Sequence, residues 1–181
     1  MKSFFGLFVV IISLLINIKS AIAFDYAPEI GDLAPSFHLQ GINNNYKSKK
    51  IWDSDELKGK WVVLYFYPKD FTAGCTLEAK GFSQLKNDFS KYNAEIIGIS
   101  ADNQDTHESF CSEKSINYTL LSDPNGTISE KYGSWIPPFS DRNTFLISPD
   151  GEIKKVFLSE KGGIQEPYFS LIVPFGSDSK V

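Results

Sequence analysis

The sequence predicts an α/β protein: a central mixed β-sheet flanked by helices, with an N-terminal β-hairpin. Three features predict it. Residues 61–67 (Trp-Val-Val-Leu-Tyr-Phe-Tyr) and 94–100 (Ala-Glu-Ile-Ile-Gly-Ile-Ser) are β-favouring runs of strand length, as expected of strands buried on both faces. Between them Phe82, Leu85, Phe89 and Tyr92 recur at helical spacing. Further on, Pro149-Asp150-Gly151 separates two strand-like segments, 144–148 and 152–158, as a hairpin turn would. Strands that alternate with helices and finish on a hairpin make a layered α/β plan.

The chain has 181 residues, 42% hydrophobic and 22% charged, with a formal charge of −4. That is enough chain for one domain with a real core. The apolar content excludes a disordered polar chain, and the absence of a basic block argues against nucleic acid as a partner.

The first 23 residues read as an export signal. Met1-Lys2-Ser3 is a short basic start, residues 4–16 are apolar apart from Gly6 and Ser13, and Ala21-Ile22-Ala23 is a small-residue cleavage pattern. The apolar run is shorter than the ~20 residues of a spanning helix. Cleavage after Ala23 is expected. The remaining chain would keep no membrane segment and would function in the periplasm or, in a photosynthetic cell, the thylakoid lumen. In an oxidising compartment two cysteines can persist as a disulfide.

After an irregular lead-in, residues 36–41 and 46–52 flank the turn Asn43-Asn44-Asn45 and read as a hairpin. Residues 53–60 are polar and turn-like. A loop at 68–74 follows the first buried strand and leads into the helix that reaches Tyr92. Residues 105–114 form a second helix, with Asp102 or Asn103 as its cap. Residues 118–121 are a short strand, and 128–132 a short helix. Gly162-Gly163, Pro167, Pro174 and Gly176 oppose a long helix, so residues 159–181 read as an irregular tail after a domain spanning 24–158.

Cys75 opens the helix that follows a buried strand. In a first helical turn, free backbone N–H groups and the helix dipole favour an anion, and a thiol there tends to lose its proton. Alone, Cys75 reads equally as a small core residue. Its neighbours decide. Residues 68–75 spell Pro-x-x-x-Thr-x-x-Cys, fixed by Pro68, Thr72 and Cys75.

Here the sequence resembles the peroxiredoxins, and residues 65–79 (Tyr-Phe-Tyr-Pro-Lys-Asp-Phe-Thr-Ala-Gly-Cys-Thr-Leu-Glu-Ala) look like the peroxiredoxin Q, or bacterioferritin comigratory protein, subfamily. So do residues 120–126 (Leu-Leu-Ser-Asp-Pro-Asn-Gly) and 142–147 (Arg-Asn-Thr-Phe-Leu-Ile). The resemblance covers residues 27–158. It implies a thioredoxin-like fold and reduction of hydrogen peroxide or organic hydroperoxides, with no metal, haem or flavin. A thioredoxin-like protein is the expected reductant, and a monomer the expected state of the chain.

The implied roles have a physical basis. Cys75 would attack one oxygen of the O–O bond and become a sulfenic acid. A thiol of pKa ~8.5 is only ~3% ionised at pH 7, so full ionisation supplies at most about thirtyfold, or ~2 kcal/mol. The rest must come from donors that grip the separating oxygens. Thr72 offers a hydroxyl, and Arg142 a fork of N–H groups and a fixed charge. Pro68, rigid and without an N–H, would shield the sulfur from water. Glu78 reads only as a favourable charge in the first helical turn.

Many peroxiredoxin Q members place a resolving cysteine five residues after the nucleophile. Here that position is Lys80. Cys111, 36 residues on and inside the second helix, resembles the subset that resolves from there. The implied product is a Cys75–Cys111 disulfide. Two alternatives stay open: an inert Cys111 with an outside thiol resolving, or a permanent structural bridge in an exported binding module without peroxidase chemistry.

Other signals carry little. His107 and Cys111 lie four apart on a helix, but His38, the only other histidine, is distant, and two ligands do not make a zinc site. No Cys-x-x-Cys exists. Asn117-Tyr118-Thr119 and Asn125-Gly126-Thr127 match short sequons that recur by chance. Residues 135–139 (Trp-Ile-Pro-Pro-Phe) read as an apolar wall near the site or as a surface loop with a tucked aromatic.

Overall fold

The computed structural model describes residues 27–46 and 49–158. The expected leader, 1–23, and the expected irregular tail, 159–181, lie outside the described residues. Strands β1 (His38–Ile42), β2 (Ile51–Asp53), β3 (Trp61–Phe66), β4 (Ala94–Ser100), β5 (Thr119–Ser122), β8 (Thr144–Ile147) and β9 (Ile153–Phe157) form one sheet in the order β2-β1-β5-β4-β3-β8-β9. β3, β4 and β5 run parallel; the two edges are antiparallel hairpins. The helices are α1 (Ala73–Ser90), α2 (Gln104–Lys114) and the short α3 (Thr127–Lys131).

The period of two along β3 builds both halves of the core. Val63, Tyr65 and Tyr67 enter one cluster with Phe82 and Phe89 of α1 and Phe110 of α2. Val62, Leu64 and Phe66 enter the other with Ile128, Tyr132 and Phe145. A strand buried on both faces needs no polar alternation, hence its unbroken apolar run. Gly98 of β4 pairs with Tyr65. A Cβ there would sit 2.7 Å from the Tyr65 ring, so the close crossing requires glycine.

The expected strands and helices are present, with boundaries moved by a few residues. Residues 53–60 hold one 3-10 turn, Ser54–Leu57, with Asp53 as its cap. Asn103, rather than Asp102, caps α2: its side chain accepts from the Thr106 N–H. Glu78 corrects an expectation, because α1 starts at Ala73 and Glu78 therefore lies in the second turn. Residues 135–139 fold as a small hairpin, β6 (Trp135–Ile136) with β7 (Phe139–Ser140). Trp135 lies against Gly126, while Ile136 and Phe139 are exposed. The tucked-aromatic reading holds.

Candidate active site

The C-terminal end of β3 gathers the site. Its last residue, Phe66, donates from its backbone to the Asn143 carbonyl at 2.8 Å, so the chain around residue 142 lies beside the exit of β3. The loop 68–72 then turns into α1. Thr72 is its extended N-cap residue, and the Thr72 carbonyl accepts from the Thr76 N–H at 2.9 Å. Cys75, third residue of α1, is 1% exposed. The N–H groups of such a first turn have no acceptor within the helix.

Arg142 joins these parts. Its Nη2 donates to Cys75 Sγ at 3.0 Å, and its Nη1 to Glu78 Oε2 at 2.5 Å. One planar fork therefore spans the sulfur and a carboxylate one turn further along α1. It sets a fixed positive charge against the Cys75 sulfur. Burial pushes the Glu78 carboxyl up to about 7, further than the attraction of Arg142 pulls it down. Burial acts against the charge on Arg142, but Glu78 and Cys75 outweigh it and hold its pKa above the ordinary value.

Thr72 differs from its expected role as a donor. It is exposed, and its hydroxyl proton is given to the Lys69 carbonyl at 3.0 Å. That leaves the oxygen's lone pairs as an acceptor. Pro68 is half-buried at the head of the loop. Cys111 is fully buried in the same core cluster as Cys75, and both are free thiols. Burial, with a smaller contribution from nearby Asp70, pushes the Cys111 thiol up to about 12. His38 is exposed and bonded to Asp53. Among the described residues no group of three or more His, Cys, Asp or Glu side chains forms a metal cage.

Two features escape the sequence reading. Glu78 holds the second half of the Arg142 fork, although it reads as a helix-dipole charge. Asp70 and His107, two buried groups from the loop and α2, meet at 2.7 Å. In both cases the signal is tertiary: the partner lies 64 or 37 residues away.

Comparison with known proteins agrees with this geometry. A family model described as the AhpC/TSA family matches residues 30–156. The chain belongs to this peroxiredoxin family. It is 40% identical over 141 residues to the putative peroxiredoxin bcp of Helicobacter pylori strain J99, covering 74% of this chain and 90% of that protein. It is 36% identical over 135 residues to peroxiredoxin Bcp of Bacillus subtilis, covering 70% and 83%. Among solved structures, Mycobacterium tuberculosis AhpC superposes with a TM-score of 0.74 at 28% identity, over 86% of this chain and 97% of that one. A cysteine-to-serine mutant of Xylella fastidiosa PrxQ gives 0.73 at 24%, over 82% and 96%, a likeness of fold. The mixed sheet is thus a thioredoxin-like peroxiredoxin sheet, and this peroxiredoxin is a thiol-dependent peroxidase of the Bcp type.

Proposed function

We propose that Cys75 reduces hydrogen peroxide and organic hydroperoxides, with Arg142, Thr72 and Pro68 shaping the reaction and Cys111 resolving it. The carrying observation is the 3.0 Å contact between Arg142 Nη2 and Cys75 Sγ. The Cys75 thiolate attacks the nearer peroxide oxygen. The S–O bond forms as the O–O bond breaks, and the departing oxygen takes a proton and leaves as water or alcohol. Sulfur is oxidised to a sulfenic acid and the peroxide is reduced. The Arg142 fork and the first-turn N–H groups of α1 stabilise charge on the oxygens as they separate. Thr72 accepts the peroxide's own proton and so orients it, while Pro68 limits water at the sulfur.

Cys111 then attacks the sulfenic sulfur. An S–S bond forms, the S–O bond breaks, and hydroxide leaves with the thiol proton as water. A thioredoxin-like dithiol reduces the bridge. Both sulfurs belong to one chain, so the cycle needs no second subunit, and we assign a monomer exported by its leader. A binding module with a permanent bridge would have no use for a guanidinium held against the sulfur.

Peroxide consumption in the presence of an external dithiol tests this. Cys75→Ser should abolish it. Cys111→Ser should keep the first oxidation and lose turnover. Equal consumption by wild type and Cys75→Ser would reject the enzyme reading.

A further inference from the structure

The loop that precedes Cys75 is fastened to the helix that carries Cys111. Asp70, 2% exposed, places one carboxylate oxygen 2.7 Å from His107 Nδ1 and accepts from the Tyr67 hydroxyl at 2.8 Å on the other. His107 is fully buried, and its Nε2 donates to the Leu121 carbonyl at 3.2 Å. The Asp70 N–H donates to Asp102 at 2.8 Å, just ahead of α2. The next residue, Phe71, has φ +62°, a left-handed conformation that is a genuine outlier for a bulky side chain. Its ring meets Phe110 edge-on at 5.1 Å, and Lys114 lies 5.4 Å from its centre. His107, Phe110 and Lys114 flank Cys111 at the i, i+3, i+4, i+7 spacing of a single helix face. None of these groups has a part in the peroxide step.

A disulfide needs Cα atoms ~4.4–6.8 Å apart. Cys75 lies in the first turn of one helix and Cys111 inside another, both free and buried. Joining two such sites calls for local opening, and the loop 68–72 is clasped to both sides of Cys111. We propose that the Asp70–His107 pair, with Phe71 seated on Phe110, is a latch that holds this loop on α2 and sets how fast Cys111 reaches the oxidised sulfur. The proposal rests on the assignment of Cys75 as the oxidised thiol and Cys111 as the resolving one.

The physics gives the latch a direction. In the closed state the pair is dry and satisfied. Removing one partner leaves the other buried without its match, which penalises the closed state; opening returns the remaining group to water. Opening also releases the left-handed Phe71. The closed state keeps Cys111 dormant as well, because burial and the nearby Asp70 oppose its ionisation. A weaker latch therefore speeds disulfide formation and leaves less time for a second peroxide to carry the sulfenic acid to sulfinic acid.

The test uses the reduced mature chain mixed with hydrogen peroxide, with thiols and sulfenic acid trapped at intervals and read by intact-mass spectrometry. His107→Leu should form the disulfide at least about tenfold faster than wild type. Its sulfinic fraction under excess peroxide should fall in proportion. Asp70→Asn should move the same way by less, and decides the matter if His107→Leu does not fold. His107→Asn, which keeps an N–H close to the Nδ1 position, should return toward wild type. The first oxidation should stay within about twofold. A merely structural pair would lower the melting temperature without moving the split between disulfide and sulfinic acid. Disulfide rates no faster than wild type in both variants, with normal sulfenic acid formation, overturn the latch alone. Sulfenic acid without any cross-link in wild type overturns the resolving role of Cys111 and the latch with it; no sulfenic acid at all overturns the peroxidase reading.

Discussion

Arg142 uses one side chain for two contacts, and its planar fork is what makes both available. Lysine would keep the charge but present a single ammonium, unable to lie in plane with Cys75 Sγ and Glu78 Oε2 together. Arg142→Lys should therefore lower the second-order rate of sulfenic acid formation by about a hundredfold, the loss typical of a missing transition-state donor. Stopped-flow oxidation of the reduced protein measures it. Glu78 shows the opposite face of the same contact. Its carboxyl is raised from 4.5 to about 7 by burial, so the folded state binds its proton more tightly than the unfolded state. The stability this gives is complete below pH 4.5 and is lost as pH rises through about 7. A rise of that size corresponds to roughly 3 kcal/mol. Glu78→Gln removes that titration, so its melting temperature should change less than that of wild type between pH 5 and pH 8; an equal change in both would place the titrating group elsewhere. The substitution should also slow peroxide reduction, because Arg142 is then held by a neutral amide. A variant that melts lower than wild type at pH 8 would show that the ion pair stabilises the fold outright.

At the scale of elements, the sheet props α1 through a short polar chain inside the core. The Tyr65 hydroxyl of β3 meets the Tyr118 hydroxyl at 2.7 Å, and Tyr118 donates to the Ala79 carbonyl of α1 at 3.2 Å, one turn beyond Cys75. Tyr65 has room for this because Gly98 lies beneath its ring. Gly98→Ala would put a methyl group 2.7 Å from the phenol carbon and 2.8 Å from Leu120. The cost should be about 1–3 kcal/mol, with the tyrosine contact displaced. A thermal melt should show a midpoint several degrees lower, together with slower oxidation of Cys75. An unchanged midpoint would mean that β4 shifts without resistance. These contacts also explain which elements are legible in the sequence. β3 and β4 announce themselves by unbroken apolar runs, and α1 by the spacing of Phe82, Leu85 and Phe89. The start of α1 is less legible, since Ala73 and Gly74 carry no apolar period and the cap at Thr72 uses no side-chain bond. The sequence alone consequently puts Glu78 one turn too early.

At the scale of the molecule, the sequence carries the proposed peroxidatic centre locally and the rest of the site only through the fold. Pro68, Thr72 and Cys75 lie within eight residues and are readable as a motif. Arg142 is readable through resemblance. Glu78, Asp70 and His107 acquire meaning only when the sheet brings distant segments together, because a buried carboxylate is indistinguishable from a surface one until its burial is known. The same reasoning governs how the two thiols behave as a system. Cys75 is held against a cation at 3.0 Å, while Cys111 is buried and raised to about 12. With Cys75 as the proposed nucleophile and Cys111 as the proposed resolving thiol, oxidation should be sequential. Intact-mass spectrometry of the protein, recovered from a host able to remove the proposed leader, reads the sequence of events directly. Before peroxide, the mass should begin at Phe24. With one equivalent of peroxide it should first gain one oxygen, then fall to two hydrogens below the reduced mass as the bridge closes. In Cys111→Ser the oxygen adduct should persist. A bridge already present in protein prepared under reducing conditions, or an oxygen adduct on Cys111 before Cys75, would contradict the division of labour between the two sulfurs.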